Sequence, residues 1–338
     1  MNATMSSEKI KHYPVMLEQV LSIISPQRGG TFIDCTFGAG GYSDAILRYP
    51  STKVLAIDRD KSTNEYAQNL SKKYPKRFTF FETKFSTLSK NININLRPKA
   101  IIFDLGISSI QLLDNERGFS FDSKKSLNMQ MGINHYSAYD VVNKLEKEKL
   151  ANVIKILGEE KEGKKIANKI FHYRNKKPIK TAAELSKIIN EVKKNYNKYN
   201  KNPATKTFQA IRIFVNQELT ELIFGLIEAT RILKKGGVLI VVSFHSLEDK
   251  IVKYFLNFYS DLKQNPSRYL PYDENKFHLF KLLSKKALIP SKDEISKNKN
   301  SRSAKLRYAI RNDNSFIYPK ELKNKFKNYF DLEETNLW

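Results

Sequence analysis

The sequence of 338 residues is 41% hydrophobic, and its 59 Lys and Arg residues outnumber 35 Asp and Glu residues, which gives a net charge of +24. The length suits a large domain with an insertion or a second small domain, and the charge favours a polyanionic partner, nucleic acid or an acidic membrane surface, unless the lysines only decorate a solvated surface. One cysteine excludes an intrachain disulfide, the five histidines form no Cys/His pair with metal-ligand spacing, and no apolar run approaches the roughly 20 residues that cross a bilayer.

The first third of the chain alternates predicted helices and strands. A short amphipathic helix is predicted from residue 12 to 21, stopping near Pro26. Strands are then predicted at 31–35, 53–57, 78–81 and 100–103, with helices through 43–47 and over 62–74. The only cysteine, Cys35, falls inside the first of these strands, where a buried structural thiol is expected. This alternation predicts an α/β fold with a doubly wound, mostly parallel sheet.

The alternation stops at about residue 113 and resumes near residue 237. Residues 113–207 show helical and loop patterns without a convincing strand, and a long amphipathic helix over 208–233 then leads into a strand at 237–242. We therefore predict a discontinuous α/β domain (1–112 and 208–313), an inserted helical domain (113–207) and a C-terminal tail (314–338). The Asn- and Lys-rich runs at 193–202 and 296–300 predict exposed loops.

A glycine-rich turn at 38–41 separates the first strand from the following helix, and Asp58 ends the second strand. This order is typical of a nucleotide-like cofactor, with the acid accepting hydrogen bonds from two ribose hydroxyls, although the spacing also fits a dinucleotide, or glycines that only make a tight turn. Asp34 lies just before the turn, where a carboxylate suits the ammonium group of a zwitterionic cofactor. This acid, together with the helix–turn–strand entry at 231–237, favours S-adenosylmethionine.

Several long strings match a known family in order along nearly the whole chain. They include Asp-Cys-Thr-Phe-Gly-Ala-Gly-Gly at 34–41, Asp-Leu-Gly-Ile-Ser-Ser at 104–109, Glu-Arg-Gly-Phe-Ser-Phe at 116–121 and Ser-Phe-His-Ser-Leu-Glu-Asp at 243–249. Shorter matches lie at 12–15, 56–60, 111–112, 158–160, 202–210 and 301–307. On these motifs the chain resembles the bacterial RsmH/MraW-type methyltransferases, which modify N4 of a cytidine in small-subunit (16S) ribosomal RNA.

The resemblance implies a Rossmann-like class I methyltransferase domain with a helical insert, and S-adenosylmethionine as the cofactor. It implies ribosomal RNA as the partner, presented in a nearly mature small subunit. The cofactor contacts that the resemblance implies are Gly40, Gly41, Tyr42, Asp58, Phe85, Asp104 and Gln111. Asp34, which precedes the turn, and Gly38, which lies in it, are also predicted to contact the cofactor. Phe85 flanks the adenine in this interpretation; ordinary core packing is its alternative role.

The chain departs from the family pattern at three places. Tyr42 stands where the family usually has His, and Leu113 replaces a common Asp. Residues 127–132, Leu-Asn-Met-Gln-Met-Gly, replace a usually charged Leu-Asp-Met-Arg-Met-Asp pattern. The last change removes one positive and two negative charges and indicates a different local ion network.

The exocyclic amine of cytosine is a poor nucleophile because its lone pair is delocalised into the ring. Hydrogen-bond acceptors on its protons help it to react. The Pro-Pro-aromatic motif that many amino-methyltransferases carry after the fourth strand is absent from this sequence, and 104–109 occupies the place. We predict that Asp104, with Ser108 or Ser109, supplies the acceptors; Asp104 as a helix cap or as a cofactor ligand alone is the alternative.

His245 follows the fifth strand, at the rim where such sheets bind ligands, and is predicted to contact the target base or its phosphate. A purely structural histidine is the alternative, and Glu248 and Asp249 are interpreted as helix N-terminal charges. The target base must leave its stack to react. Basic residues of the insert are predicted to grip phosphates, unless they form only a solvated helix face: Lys164, Lys165, Arg174, Lys176, Lys177, Lys180 and Lys206.

Three other functions are also compatible with the sequence. A non-enzymatic RNA-binding or ribosome assembly factor would keep the fold without turnover. A nicotinamide-dependent oxidoreductase would share the glycine turn, but no hydride-handling residues are evident. A methyltransferase could also act on DNA, protein or a small molecule. The first residues carry no apolar secretory segment, so we predict a cytoplasmic protein with no membrane partner, as a monomer or dimer.

Overall fold

The computed structural model describes residues 14–193, 202–260 and 278–334. His12, Tyr13 and most of the predicted loop at 193–202 therefore lie outside the described residues. Within them, the strands form one seven-stranded sheet of order β3-β2-β1-β4-β5-β7-β6. The strands are β1 (Gly30–Asp34), β2 (Thr52–Asp58), β3 (Phe78–Glu82), β4 (Ala100–Asp104), β5 (Val238–Ser243), β6 (Phe280–Lys281) and β7 (Lys305–Arg311).

The sheet is parallel from β3 to β5, and β7 pairs antiparallel with both β5 and β6. Its central strands are continuous apolar runs, such as 100–103, because helices cover both faces. The doubly wound, mostly parallel sheet and its first five strands are thus confirmed. Cys35 lies one residue beyond β1 and is buried as expected. Strands β6 and β7 were not predicted: β6 is very short, and Lys and Arg interrupt the apolar pattern of β7.

The helices frame this sheet and build a separate helical layer. They are α1 (Leu17–Ile24), α2 (Gly41–Leu47), α3 (Asn64–Lys73), α4 (Leu88–Asn91), α5 (Ser109–Leu113), α6 (Ala138–Lys144), α7 (Lys147–Leu157), α8 (Gly163–Arg174), α9 (Ala182–Val192), α10 (Thr205–Asn216), α11 (Glu218–Ile232), α12 (Ser246–Phe258), α13 (Lys292–Lys297), α14 (Lys320–Lys325) and α15 (Lys327–Glu333). In the described part of the chain, no helix has both the length and the apolar character that crossing a membrane requires.

Two hydrophobic clusters cover the two faces of the sheet. Alternate residues of one strand point to opposite faces, so Phe32 joins the cluster beneath α1, α2 and α3, while Ile33 joins the cluster beneath α11 and α12. The second cluster continues without a break into the helical insert, because the buried side chains of α6 to α10 belong to it. The insert and the α/β domain therefore share one core.

The long helix predicted over 208–233 is wrong, because the chain breaks at Gln217. This residue has a left-handed backbone (φ 51°) and ends α10 before α11 begins. The buried Asn216 fixes the break: its amide donates to the backbone oxygen of Met129, and its Oδ1 accepts from the backbone N–H of Met131. Regular apolar spacing continued through the break and concealed it from the sequence pattern.

The insert is helical, as predicted, with no strand in residues 113–193 or 202–207. Two of its helices begin at capping boxes: Ser137 with Asp140 starts α6, and Thr181 with Glu184 starts α9. Helix α7 packs between α8 and α10. Helix α10 thus connects the insert to the sheet domain.

The segment after β7 folds back as α14 and α15. Phe330 of α15 contacts Phe224 of α11 edge-to-face, with ring centroids 5.5 Å apart, and Glu333 is fully buried. The C-terminal helices therefore pack on the helix that precedes β5.

Candidate functional site

A cavity of about 480 Å³ opens at the carboxyl ends of the parallel strands. Open α/β sheets bind ligands at this edge. Asp58 at the end of β2 and Asp104 at the end of β4 both line it. Most of the predicted site residues share this wall: Gly38, Gly41, Tyr42, Phe85, Ser108, Ser109 and Gln111. Asp34, Gly40 and His245 lie behind the wall and do not line the cavity.

The glycine turn after β1 needs its glycines for geometric reasons. Gly38 (φ +54°) and Gly40 (φ +80°) have backbone conformations that other residues rarely adopt. A Cβ on Gly40 would lie 2.8 Å from the ring of Phe37, and one on Gly41 would overlap the ring of Pro14. The turn therefore brings bare backbone to the cavity at Gly38, while Gly40 serves the start of α2.

Asp34 braces the turn from behind. Its carboxylate accepts a 2.8 Å hydrogen bond from Ser43 Oγ on α2 and a longer one from the backbone N–H of Thr36. Only 1% of the residue is exposed. Burial raises the pKa of Asp34 to about 6, and these hydrogen bonds offset part of the shift. The structure thus connects Asp34 to the turn and to α2.

Asp58 is half-buried, and each of its carboxylate oxygens accepts one backbone N–H. Oδ2 accepts from Gly38 at 2.8 Å and Oδ1 from Asp60 at 2.9 Å. Burial raises the pKa of Asp58 to about 6, the two amides lower it, and the negative charges of Asp60 and Asp34 raise it further. Because each carboxylate oxygen has two lone pairs, Asp58 keeps acceptor capacity toward the cavity.

Asp104 carries a buried oxygen, Oδ1, that has no hydrogen-bond partner among the described residues. Its backbone N–H donates to Thr36 Oγ1 at 2.6 Å, which aligns the end of β4 with the glycine turn. Burial raises the pKa of Asp104 well above its usual range, and the charges of Asp34 and Glu248 add to the shift. A buried polar atom without a partner is costly unless a ligand satisfies it.

Ser108 and Gln111 form a capping box at the start of α5. The Gln111 side chain accepts from the Ser108 backbone N–H at 3.0 Å and donates to Asp60 Oδ2 at 2.7 Å. Arg117 reaches the same oxygen at 2.6 Å. Burial alone would raise the pKa of Asp60, but the bonds from Gln111 and Ser62 and the charge of Arg117 outweigh it and lower the pKa. Both ends of the Gln111 amide are thus engaged by protein.

Phe85 and Tyr42 are both core and wall residues. Phe85 packs edge-on against Phe103, with ring centroids 5.3 Å apart, and a Cβ on Gly225 would overlap its ring. The hydroxyl of Tyr42 donates to the backbone oxygen of Val15. This hydrogen bond holds α2 against the N-terminal segment at the position where the family usually has a histidine.

His245 begins α12 as its cap. Its Nδ1 accepts from the backbone N–H of Glu248 at 3.4 Å, and its Nε2 lies 3.2 Å from Glu248 Oε1. Glu248 itself lines the cavity. It is in the first turn of α12, as interpreted from the sequence, and so is Asp249, which pairs with Arg307 and Lys305 of β7.

A charged group on the far wall was missed by the sequence interpretation. It consists of Lys84, Arg212, Glu218, Glu221 and Glu248, which all line the cavity. Arg212 donates to both carboxylate oxygens of Glu218 at 2.7 Å. Burial alone would raise the pKa of Glu248; the His245 imidazole and Arg212 outweigh it, so the pKa is lowered. No spacing in the sequence indicates this group, because three helices (α10, α11 and α12) and the loop after β3 assemble it.

Residues 127–132, which depart from the family pattern, follow their own backbone path. Met129 (φ 56°) and Gly132 (φ +131°) both have positive φ angles. A Cβ on Gly132 would overlap the carbonyl oxygen of Arg59. Asn128 Oδ1 accepts from the Gln130 backbone N–H at 2.8 Å. Amide contacts and close backbone packing therefore stand where the family usually has charges.

The basic residues proposed to grip phosphates differ in their surroundings. Arg174 donates to the backbone oxygen of Val142 at 2.9 Å, and Lys206 donates to that of Glu159 at 2.8 Å. Lys165 pairs with Glu162 at 2.8 Å and Lys177 approaches Glu184 at 4.0 Å. Every one of the seven except Arg174 is exposed, including Lys164, Lys176 and Lys180.

Comparisons with known proteins give a consistent result. A family model described as the MraW methylase family matches residues 9–312. A protein named ribosomal RNA small subunit methyltransferase H from Ehrlichia canis is 44% identical over 308 residues, which cover 89% of this chain and 99% of that protein. Proteins of the same name from a Wolbachia endosymbiont of Drosophila simulans and from Orientia tsutsugamushi are 45% and 42% identical, covering 88% and 89% of this chain and 97% and 98% of theirs.

Two solved structures are also similar to this chain. An rRNA methylase from Streptococcus thermophilus has a TM-score of 0.39 at 10% identity, covering 87% of this chain and 96% of that one. A methyltransferase from Streptococcus mutans, solved in complex with SAH, has a TM-score of 0.40 at 11% identity, covering 86% and 97%.

Proposed function

The chain belongs to the MraW methylase family, and from this premise we propose that it methylates N4 of a cytidine in 16S ribosomal RNA. Relatives 42 to 45% identical over almost their whole length are small-subunit ribosomal RNA methyltransferases. The activity is accordingly S-adenosylmethionine-dependent methylation of small-subunit ribosomal RNA. The sheet order, with an antiparallel β7 between β5 and β6, is the arrangement of class I methyltransferases. The observation that carries the finer proposal is the Asp104 side chain, which lines the cavity and accepts no hydrogen bond from the described residues.

The cavity residues fit S-adenosylmethionine. The space beside the Gly38 backbone is open to a ligand, since a Cβ there would meet nothing closer than 3.8 Å. Asp58 keeps acceptor capacity for ribose hydroxyls. Phe85 offers a ring edge or face to the adenine, and Tyr42 and Gly41 complete that wall. When bound, the cofactor supplies an electrophilic methyl group on a positively charged sulfur. The residues that would contact the cofactor are held in position from behind by Gln111, Gly40 and Asp34.

Asp104 is our proposed catalytic acceptor. Its carboxylate, which accepts no hydrogen bond from the described residues, is proposed to accept one from the target amine, which draws the nitrogen lone pair out of the ring. The negative charge that this role needs is disfavoured by burial, so a positively charged partner in the cavity must lower the pKa of Asp104. Ser108 and Ser109, at the start of α5, are proposed to orient the amine beside it.

His245 is proposed to act on the target side of the cavity. Its Nε2 lies 3.2 Å from Glu248 Oε1, and Glu248 lines the cavity. Glu248 is thus a second candidate to contact the base, with His245 as the residue that orients it. Aligning the amine in this way, with water excluded, supplies most of what methyl transfer requires.

We further propose that residues 113–207 recognise the folded RNA, with 1–112 and 208–313 as the catalytic domain. The exposed lysines Lys164, Lys176 and Lys180 support phosphate contacts by the insert. The proposed substrate is a nearly assembled small subunit. We propose a cytoplasmic location for the protein, where such subunits mature. RNA binding should weaken steeply between 50 and 200 mM salt, as phosphate contacts do.

Nucleoside mass spectrometry of 16S RNA from cells with and without the gene tests the proposal. We expect one N4-methylated cytidine to disappear without the gene and to return with the wild-type gene. The same RNA modification pattern in both cells would refute it. A purified protein that binds small subunits but no S-adenosylmethionine would instead favour a non-enzymatic assembly factor.

A further inference from the structure

The C-terminal helix inserts an acid into the junction between α10 and α11. Glu333 of α15 is 0% exposed. Its Oε2 accepts the backbone N–H of Thr220 at 2.8 Å, and its Oε1 accepts that of Leu219 at 3.2 Å. Glu333 therefore serves as a helix cap supplied from a distant part of the sequence.

Helix α11 has no side-chain cap of its own. Its cap position is Gln217, whose left-handed backbone breaks the chain and whose side chain makes no capping hydrogen bond. Instead, Gln217 Nε2 donates to the backbone oxygen of Glu333 at 2.8 Å. The first N–H groups of a helix have no intrahelical partner, and leaving them buried and unsatisfied is costly. The start of α11 thus depends on both the side chain and the backbone of Glu333.

This first turn of α11 builds part of the cavity wall. Glu218 holds Arg212 through two hydrogen bonds of 2.7 Å. Glu221 accepts from the backbone N–H of Ser86 at 3.0 Å, next to Phe85. Leu222 also lines the cavity. A shift of the turn would therefore move the Phe85 loop and the Arg212 pair together.

We propose that Glu333 is a positioning residue for cofactor binding, which acts through the first turn of α11 on the Phe85 loop and on Arg212. The inference rests on the proposed function, since it takes this cavity to be the S-adenosylmethionine site. Glu333 lies outside residues 9–312, which the family model matches, so the device belongs to this chain's C-terminal segment. Residues 320–333 are then part of the working enzyme.

A purely stabilising role makes a different prediction. Helix α15 also buries Tyr329 and Phe330, so it contributes to stability whatever Glu333 does. If that were its whole contribution, removing the Glu333 carboxylate would lower the melting temperature without changing cofactor affinity in the folded protein. The dissociation constant for S-adenosylmethionine, measured well below the melting temperature, separates the two roles.

The test uses full-length Glu333→Ala and Glu333→Gln, with Glu334→Gln as a matched control at an exposed position one residue further on. Calorimetric titration with S-adenosylmethionine should give a dissociation constant about fivefold higher for Glu333→Ala, the ratio that corresponds to losing a typical helix cap. Glu333→Gln keeps one acceptor oxygen for Thr220 and should recover part of the loss. Glu334→Gln should bind as the wild type does.

The results separate this inference from the function on which it rests. If folded Glu333→Ala binds S-adenosylmethionine within twofold of the wild type, α15 only stabilises the protein and the inference is wrong. If Glu333→Ala does not fold, Glu333→Gln decides: weaker binding supports the inference, and wild-type affinity overturns it. A wild-type protein that binds no S-adenosylmethionine contradicts the proposed function itself.

Discussion

Gly38 and Asp58 are joined by a 2.8 Å hydrogen bond from the backbone N–H of the turn to Oδ2 of the acid. Asp58 ends β2, and Gly38 lies in the turn that follows β1, the parallel neighbour of β2. The bond therefore holds Asp58, the proposed ribose acceptor, against the Gly38 backbone, which is proposed to contact the rest of the cofactor. Asp58 must be ionised to accept two more hydroxyl donors well.

Cofactor affinity should accordingly rise with pH. Burial raises the pKa of Asp58 to about 6, so below pH 6 binding must first remove a proton. We expect the dissociation constant for S-adenosylmethionine to fall severalfold from pH 5 to pH 7, by at most about tenfold per pH unit. Calorimetry across this range tests it. Asp58→Asn should bind weakly and without this dependence, whereas Asp34→Asn, which removes the other acid of similar pKa, should retain it.

Replacing Asp104 should separate binding from turnover. Asp104→Asn keeps the size of the side chain but cannot take up a proton of the amine, and general-base groups contribute about 10²- to 10⁴-fold to rates. We expect single-turnover methylation of small subunits to slow by at least about 10²-fold, with cofactor affinity changed far less. Single-turnover assays and calorimetry on the same preparation provide the comparison. Unchanged turnover would show that Asp104 holds only the cofactor or the backbone.

Local sequence patterns predicted the five parallel strands, and most of the candidate residues that follow β1, β2 and β4 line the cavity. The apolar runs ending at Asp58 and Asp104 mark strand ends, and parallel strands bring such ends to one edge. The far wall was not predictable in this way. In a continuous helix, Arg212 and Glu218 would point about 120° apart, and the break at Gln217 lets them pair.

The contact of Glu333 with Thr220 is harder still to predict, because it joins residues 113 positions apart. An acid near the end of a short helix has the pattern of a solvated side chain. Only the packing of α15 on α11 converts it into a buried cap.

Gly132 should be intolerant of a side chain, although the family pattern usually has an acid at this position. With φ +131° and the Arg59 carbonyl in the place of a Cβ, Gly132→Ala combines backbone strain with overlap. We expect a loss of about 2–4 kcal/mol in unfolding free energy, and of roughly 5–10 °C in melting temperature. Gly236→Ala is the matched control, since its φ is +74° but nothing lies within 4 Å. Equal losses in both variants would mean that strain alone, and not the overlap, determines the effect.

Glu333 should also leave a signature in the pH dependence of stability. Burial raises its pKa to about 8, against hydrogen bonds from Thr220 and Leu219 that lower it, while the nearby charge of Glu218 raises it further. Tyr136 faces the same carboxyl, and burial together with the charge of Glu333 raises the pKa of Tyr136 to about 12. An acid with a raised folded-state pKa binds its proton more tightly when folded. Its stabilising contribution is complete below its unfolded pKa of about 4.5, falls as the pH rises, and is lost by about pH 8.

The melting temperature of the wild type should therefore fall relative to that of Glu333→Gln between pH 5 and pH 8, and the difference should level off above pH 8. Groups common to both proteins cancel in this difference, which differential scanning calorimetry measures directly. Glu334→Gln should show no such trend, because that side chain is exposed in both states. A constant difference between wild type and Glu333→Gln over the whole range would mean that Glu333 keeps one protonation state, and that burial does not govern its ionisation.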